Sequence, residues 1–383
     1  MIYRERRKIA EPVSLLSLGC MRFPVINGDR ANIDKNQVFK MLDYACEEGI
    51  TYFDTAYLYH KGLSETVLGE YFAKQKRNSI LIATKLPWWL CKSKEDCCHY
   101  FQIQMERLKL DCVDVYLLQG LNKKGWDNIK DSYIIDFLLY LKKKGKIRYI
   151  GFSFHDTYEV FCEILSYGLW DLCQVQMNVA DMFSQATVEG LKLAYEAGVD
   201  VLIMEPLRGG KLVNNVPALI QEKYFELGKN YSVAEWCFRW LYDSPYITSI
   251  LSGMSDLIQL QDNIRIFQNA KADCLTDFER KQFKEICNLY NAIEGIACTG
   301  CGYCMDCARG LNIPQVIDTF NSIISTDNQF INKLKYKRLT SGKNDIRKCI
   351  ECGSCAKRCP QNIPIDQVMH NIKDYLEFHY GHL

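Results

Sequence analysis

Eight short apolar runs recur through the first 290 residues: SLLSLGCM, TYFDTA, ILIATKL, DVYLLQGL, IRYIGFSF, LCQVQMNV, DVLIMEPL and ITSILSGM. Between most of them lie stretches with helical periodicity, at 35–48, 97–109, 185–197 and 256–267. The runs are near-continuous, as in strands buried on both faces. Eight strands with intervening helices predict an α/β protein, a (β/α)8 TIM barrel over residues 1–290. A doubly wound sheet is the competing arrangement, but no GxGxxG follows an early strand. After the helix expected at 277–292 the pattern changes, so a small second domain is expected over 291–383.

Composition narrows the class. A chain of 383 residues is too long for one ordinary domain unless that domain is a large barrel. Hydrophobic residues make up 48% and charged residues 24%, enough to bury a core. A net charge of +1 predicts neither nucleic-acid nor membrane binding. No apolar run reaches the roughly 20 residues of a membrane helix. RERRK followed by PVSLLSLGC resembles a lipoprotein leader, but Glu11 and Pro12 interrupt it and a first strand explains it equally well.

Nineteen cysteines are present, eight of them in two tight runs. A disulfide framework belongs to small secreted domains. The scattered cysteines, such as Cys46, Cys162 and Cys237, read as small buried hydrophobes in a reducing cytosol, and a cytoplasmic location is expected. Adjacent Cys97 and Cys98 have no metal-binding motif around them. The first run is Cys298, Cys301, Cys304 and Cys307; the second is Cys349, Cys352, Cys355 and Cys359, followed by Pro360. NIP follows each run, an internal repeat of about 50 residues. Zinc sites usually separate two CxxC pairs by about 12–20 residues. A continuous CxxCxxC wraps three corners of an iron–sulfur cubane, and the fourth cysteine ligates the other cluster. One [4Fe–4S] cluster should therefore take Cys298, Cys301, Cys304 and Cys359, and the other Cys349, Cys352, Cys355 and Cys307. This part resembles a bacterial two-cluster ferredoxin, with CxxC before the last cysteine of the first run and Ala308 in place of the usual proline.

Polar residues gather at the C-terminal ends of the expected strands: Asp54, Lys85, Gln119, Ser153, Gln174 and Asn178. That rim is where barrels build chemistry. A tyrosine hydroxyl, with a pKa near 10, needs a neighbouring ammonium to serve as an acid at neutral pH, and a carboxylate can hold that ammonium. Asp54, Tyr59 and Lys85 can form such a group, or equally a buried salt bridge beside a structural tyrosine.

The motifs LSLGCMRFP, FDTAYLYH, ATKLP, DVYLLQGLN, IGFSFH, CQVQMN and MEPLRGGKL occur in this order. Together with the cysteine runs they resemble the ferredoxin-fused branch of the aldo/keto reductases. The resemblance implies a barrel that binds NADP(H) or NAD(H) across its rim and transfers hydride to a small carbonyl or activated alkene. It implies Tyr59 as proton donor, Lys85 as the group that lowers its pKa and Asp54 as the group that orients Lys85. Gln119 stands where the family has histidine; an amide can orient a substrate but cannot titrate near neutrality. Implied cofactor contacts are Gly19, Cys20, Met21, Asp54, Ser153, Gln174, Asn178, Met204, Pro206, Leu207, Gly209, Ser255, Gln259, Asp262 and Asn263. Gly253 or Met254 and Gln259 replace the basic residues that grip a 2′-phosphate, which weakens the case for NADP.

Nicotinamide gives two electrons and a cluster takes one, so a flavin would be the usual mediator, but no flavin motif is present. The competing reading is an electron carrier whose barrel is a scaffold. The basic segment KLKYKRLTSGKNDIRK reads as a solvated loop or as a docking patch for a ferredoxin or flavodoxin. His60 and His155 are placed at the rim, and His99, His370, His379 and His382 on the surface.

Overall fold

The structure is a computed structural model that describes residues 1–75, 79–214, 216–293, 295–324 and 329–381. Eight parallel strands close a barrel in sequence order: β1 (Leu16–Gly19), β2 (Tyr52–Asp54), β3 (Leu81–Leu86), β4 (Val113–Leu121), β5 (Ile147–Phe154), β6 (Leu172–Gln176), β7 (Asp200–Met204) and β8 (Ser249–Ser252). β1 pairs with β8, which removes both sheet edges. The expected strands and helices stand in their expected order, with helices at Lys35–Glu47, Lys94–Leu108, Thr187–Glu196, Leu257–Phe267 and Asp277–Ile293.

Local sequence sets the helix starts. Ser93 accepts from the amide of Asp96, and the Asp96 carboxylate accepts from the amide of Ser93, a reciprocal cap. Asp34, Asn122, Ser132, Ser232 and Asp256 cap other helices the same way from the N-terminal side. Gly151 permits the close approach of β5 to β6: a Cβ there would stand 2.5 Å from the Leu172 carbonyl oxygen.

The strand period of two decides what faces inward. Tyr52, Leu81, Ala83, Val115, Leu117, Leu172 and Leu202 fill the barrel, with Ile9 and Val13 packed against them. The amides of Arg7, Lys8 and Ile9 donate to Asp200, which ties the N-terminal segment to the start of β7. Counting on by two from the interior residues reaches Asp54, Lys85, Gln119, Ser153, Gln174 and Met204. The inward position nearest the C-terminal end is therefore polar on five strands.

Contacts divide the chain into two compact units, 1–207 with 224–283, and 208–223 with 284–383. The described residues of the second unit contain no β-strand. Helices Ile313–Ile324, Gln329–Leu339 and Ile365–Tyr380 enclose a core that includes Val316, Ile317, Met369 and Ile372. The Tyr290 hydroxyl donates to the Leu212 carbonyl, and Lys211 pairs with Asp318 at 3.0 Å, which fastens 208–223 to this unit. The segment 333–348 is not a loop throughout, as one reading of the sequence had it. It is helical to Leu339, because Lys, Leu and Arg favour helix and Leu339 is buried in the core. Among the described residues no helix is long and apolar enough to cross a membrane.

Candidate active site and cluster-binding cysteines

Lys85 is the centre of the barrel site and is 1% exposed. Its ammonium donates to Asp54 Oδ2 at 2.5 Å, to the Thr55 carbonyl at 2.9 Å and to the Tyr59 hydroxyl at 3.3 Å. It also lies 4.9 Å from the centre of the Tyr59 ring. A buried ammonium is tolerable only when paired and hydrogen-bonded, and these contacts meet that need. Tyr59 is half-buried on a short 3₁₀ turn whose next two residues, His60 and Lys61, have φ of +52° and +56°. That turn, directly after β2, brings Tyr59 back over the strand end.

Gln174 lies behind the pair. Its Nε2 donates to Asp54 Oδ1 at 2.7 Å and to the Tyr52 hydroxyl at 3.4 Å. Since the carboxylate can only accept, the amide nitrogen must face Asp54, and Oε1 is left buried without a hydrogen-bond partner among the described residues. Around the rim, Ser153 Oγ accepts from the Gly120 amide at 2.7 Å, beside Gln119. The Gln119 carbonyl accepts from Trp88 Nε1 at 2.7 Å. Asn178 is fully buried and donates to Asp181 Oδ2 and to the Glu205 carbonyl.

Several supporting residues escaped the sequence reading. Thr84, Gln104, Glu65 and Arg107 form a buried network under Lys85: Gln104 Nε2 donates to the Lys85 carbonyl, and Arg107 pairs with Glu65 at 3.1 Å. Burial pushes the Glu65 carboxyl up. Asp181 receives the amides of both Gln176 and Asn178. The Arg22 stem lies over Gly253 at the end of β8, where an added Cβ would meet Arg22 Cδ at 3.2 Å. The Glu65 partners lie 19 to 42 residues away along the chain, and Asp181 sits in a loop three to five residues past its partners, so no recognisable motif announces them.

The remaining cofactor candidates lie at or after the ends of β1, β7 and β8 along the chain. Cys20 is buried, with Gly19 and Met21 half-buried beside it. Pro206 and Leu207 end the first unit, whereas Gly209, at φ +65°, belongs to the second. Gln259 is occupied locally: its Nε2 donates to Asp256 and Ser255, and its Oε1 accepts from the Ser255 amide. Asn263 donates to Ser252 Oγ, and Asp262 pairs with Arg265. His155 is half-buried, and desolvation lowers its pKa to about 4 against a supporting bond from Gln185, so it is neutral at pH 7. His60 is buried, with Nδ1 3.1 Å from the Arg30 carbonyl, and burial lowers its pKa. His99, His370 and His379 are exposed; His382 lies outside the described residues.

In the second unit, Cys304, Cys307, Cys349, Cys352 and Cys355 line one cavity. Burial, and then the neighbouring thiols of Cys301, Cys298 and Cys359, push the Cys304 thiol up to about 12. The two cysteine runs are thus interleaved in space. Among the described residues no group of three or more His, Cys, Asp or Glu side chains could hold a single metal ion.

Residues 15–274 match the aldo/keto reductase family, and residues 297–364 match a 4Fe-4S dicluster domain. An uncharacterized oxidoreductase of Bacillus subtilis, YqkF, is 28% identical over 298 residues, covering 70% of this chain and 91% of its own. The NADH-specific methylglyoxal reductase of Escherichia coli is 24% identical over 288 residues, covering 63% and 85%. The solved aldo-keto reductase AKR11C1 from Bacillus halodurans has the same fold, with a TM-score of 0.60 at 23% identity, over 75% of this chain and 96% of its own. The chain belongs to the aldo/keto reductase family and carries a 4Fe–4S dicluster domain after its barrel.

Proposed function

We propose that residues 1–290 form a nicotinamide-dependent reductase for a small carbonyl or activated alkene, and that residues 291–383 hold two [4Fe–4S] clusters. The observation that carries this reading is the single ammonium of Lys85 within reach of both Asp54 and the Tyr59 hydroxyl.

A bound nicotinamide supplies a hydride to the substrate carbon. Tyr59 Oη gives its proton to the substrate oxygen as the carbonyl π pair moves onto it, so C=O becomes CH–OH. Lys85 stabilises the phenolate left on Tyr59, and Asp54 holds Lys85 in place. Gln174 Oε1, buried and unpartnered, is an acceptor suited to an amide donor such as a carboxamide. The Gln119 amide can orient the substrate oxygen, but it leaves Tyr59 as the only acid in this set. The nucleotide is NADP(H) or NAD(H): Arg265, the one basic residue of 252–268, is paired with Asp262 and Glu235, while the Arg22 stem lies over Gly253.

One cluster is assigned to Cys298, Cys301, Cys304 and Cys359 and the other to Cys307, Cys349, Cys352 and Cys355. The cavity and the thiol neighbours of Cys304 support this assignment. The clusters supply one-electron transfer.

The test is anaerobic purification with iron and sulfide analysis, followed by titration with NADH, NADPH and flavin. Nicotinamide binding and a carbonyl turnover lost in Tyr59→Phe are expected. Absence of nucleotide binding defeats the reductase reading and leaves the electron-carrier alternative.

A further inference from the structure

We infer that the cluster held by Cys307, Cys349, Cys352 and Cys355 is the port through which this chain exchanges electrons with an acidic carrier protein, docked over Ile350 and the helix Gln329–Leu339. This deepens the proposed function and rests on the assignment of the eight cysteines to two clusters.

The two cysteine sets differ in exposure. Cys304 of the first set is 7% exposed. Cys352 of the second is exposed, and its cavity has Ile350, 54% exposed, among its walls. An electron leaving by the second set has less protein to cross, and an apolar side chain already marks that opening.

The chain leading into Cys349 is strongly cationic. Residues 329–348 carry seven Lys or Arg and one Asp, in a protein of net charge +1. On the helix Gln329–Leu339, Phe330 and Leu334 are 73% and 51% exposed and lie one turn apart on one face. Lys333, Lys337 and Arg338 are exposed beside them. Single exposed apolar residues mean little, but apolar anchors ringed by one sign of charge are the anatomy of a steered interface. The carboxylates near the opening are partly neutralised, Glu351 by Lys373 at 2.6 Å and Asp306 by Arg358 at 3.1 Å; Asp366 also lines the cavity, opposite in sign to Arg309. A protein of opposite charge is therefore the occupant that fits.

The test uses the full chain with its clusters reconstituted under anaerobic conditions. Binding of two acidic probes, a plant-type [2Fe–2S] ferredoxin and a flavodoxin, is measured at low and high ionic strength. Binding that weakens with salt is expected. The triple variant Lys333→Glu, Lys337→Glu, Arg338→Glu should lose about tenfold or more in affinity, and Ile350→Asp should weaken binding with the visible cluster absorption unchanged. Lys40→Glu with Lys143→Glu, on barrel helices, should bind as the parent does. Absence of binding to both probes, affinity unchanged in the triple variant, or capture by phosphatidylserine vesicles in place of the probes overturns the inference. Affinity is read without nicotinamide, and Tyr59→Phe should leave it unaltered, so failure here is separable from failure of the reductase reading.

Discussion

The barrel and the cysteine-bearing unit reach stability by different routes. In the barrel, eight strands satisfy one another's backbone groups, and apolar side chains fill both the interior and the layer beneath the helices. The second unit has no ladder among its described residues, and the apolar core beside its cysteine runs holds thirteen buried hydrophobic residues among those described, of which Cys304 is one. Five further cysteines of the two runs pack against that core. The barrel closes its ladder on itself, whereas the second unit packs helices around cysteine-bearing loops that match a 4Fe-4S dicluster domain. A core this small is where bound metal normally supplies folding energy.

Removing iron is the sharpest way to break the comparison. Chelation should unfold residues 297–364 while the barrel amides stay protected, and hydrogen exchange resolves the two. Cys359→Ala should lower the iron content by about half by the cross-ligation of the runs. Equal loss of protection in both units would erase the distinction.

Within the barrel, the largest effect is expected at the paired charge. Asp54→Ala leaves Lys85 buried without its carboxylate and should cost about 3–5 kcal/mol in denaturant unfolding. Tyr59→Phe keeps the ring and its packing. Stability should change little, while kcat falls about 10²–10⁴-fold; a KM effect alone would make Tyr59 a binding residue only.

A smaller effect is pH-dependent. His155 has a folded pKa of about 4, below its unfolded value, so the unfolded chain binds more protons between about pH 6.5 and 4. Barrel stability should fall as pH drops through that window, by up to about 3 kcal/mol, discounted for partial exposure. His155→Gln should flatten the slope in a pH series of urea melts. The smallest effect belongs to a surface cap: Ser93→Ala should cost about 1 kcal/mol with no effect on the clusters.

Much of the fold was legible because each barrel strand is a local event. An apolar run between two helical stretches identifies itself, and strand order follows from parallel closure. The cysteine runs were equally plain, since at least three cysteines sit within one continuous loop in each. The basic segment was less legible: helix and solvated loop share its composition, and burial of Leu339 decided between them. In the site, Asp54, Lys85 and Tyr59 stood out as polar residues at apolar strand ends. Their support did not, because Gln104, Glu65 and Asp181 look like ordinary helix and loop residues until the barrel closes.

The sequence alone therefore determined the order of strands, the spacing of the two cysteine runs and the polar ring at the strand ends. These depend on spacing along the chain, with period two in strands and period three in the cysteine loops. Only the tertiary structure decided what that ring does internally. Gln174 spends its amide nitrogen on Asp54 and keeps a buried oxygen unpaired, and Lys85 bridges Asp54 and Tyr59. The interleaving of Cys304 with Cys298, Cys301 and Cys359, and the contrast between buried Cys304 and exposed Cys352, are likewise tertiary. Hydrogen bonds and burial depend on distances across the fold, which sequence separation does not encode.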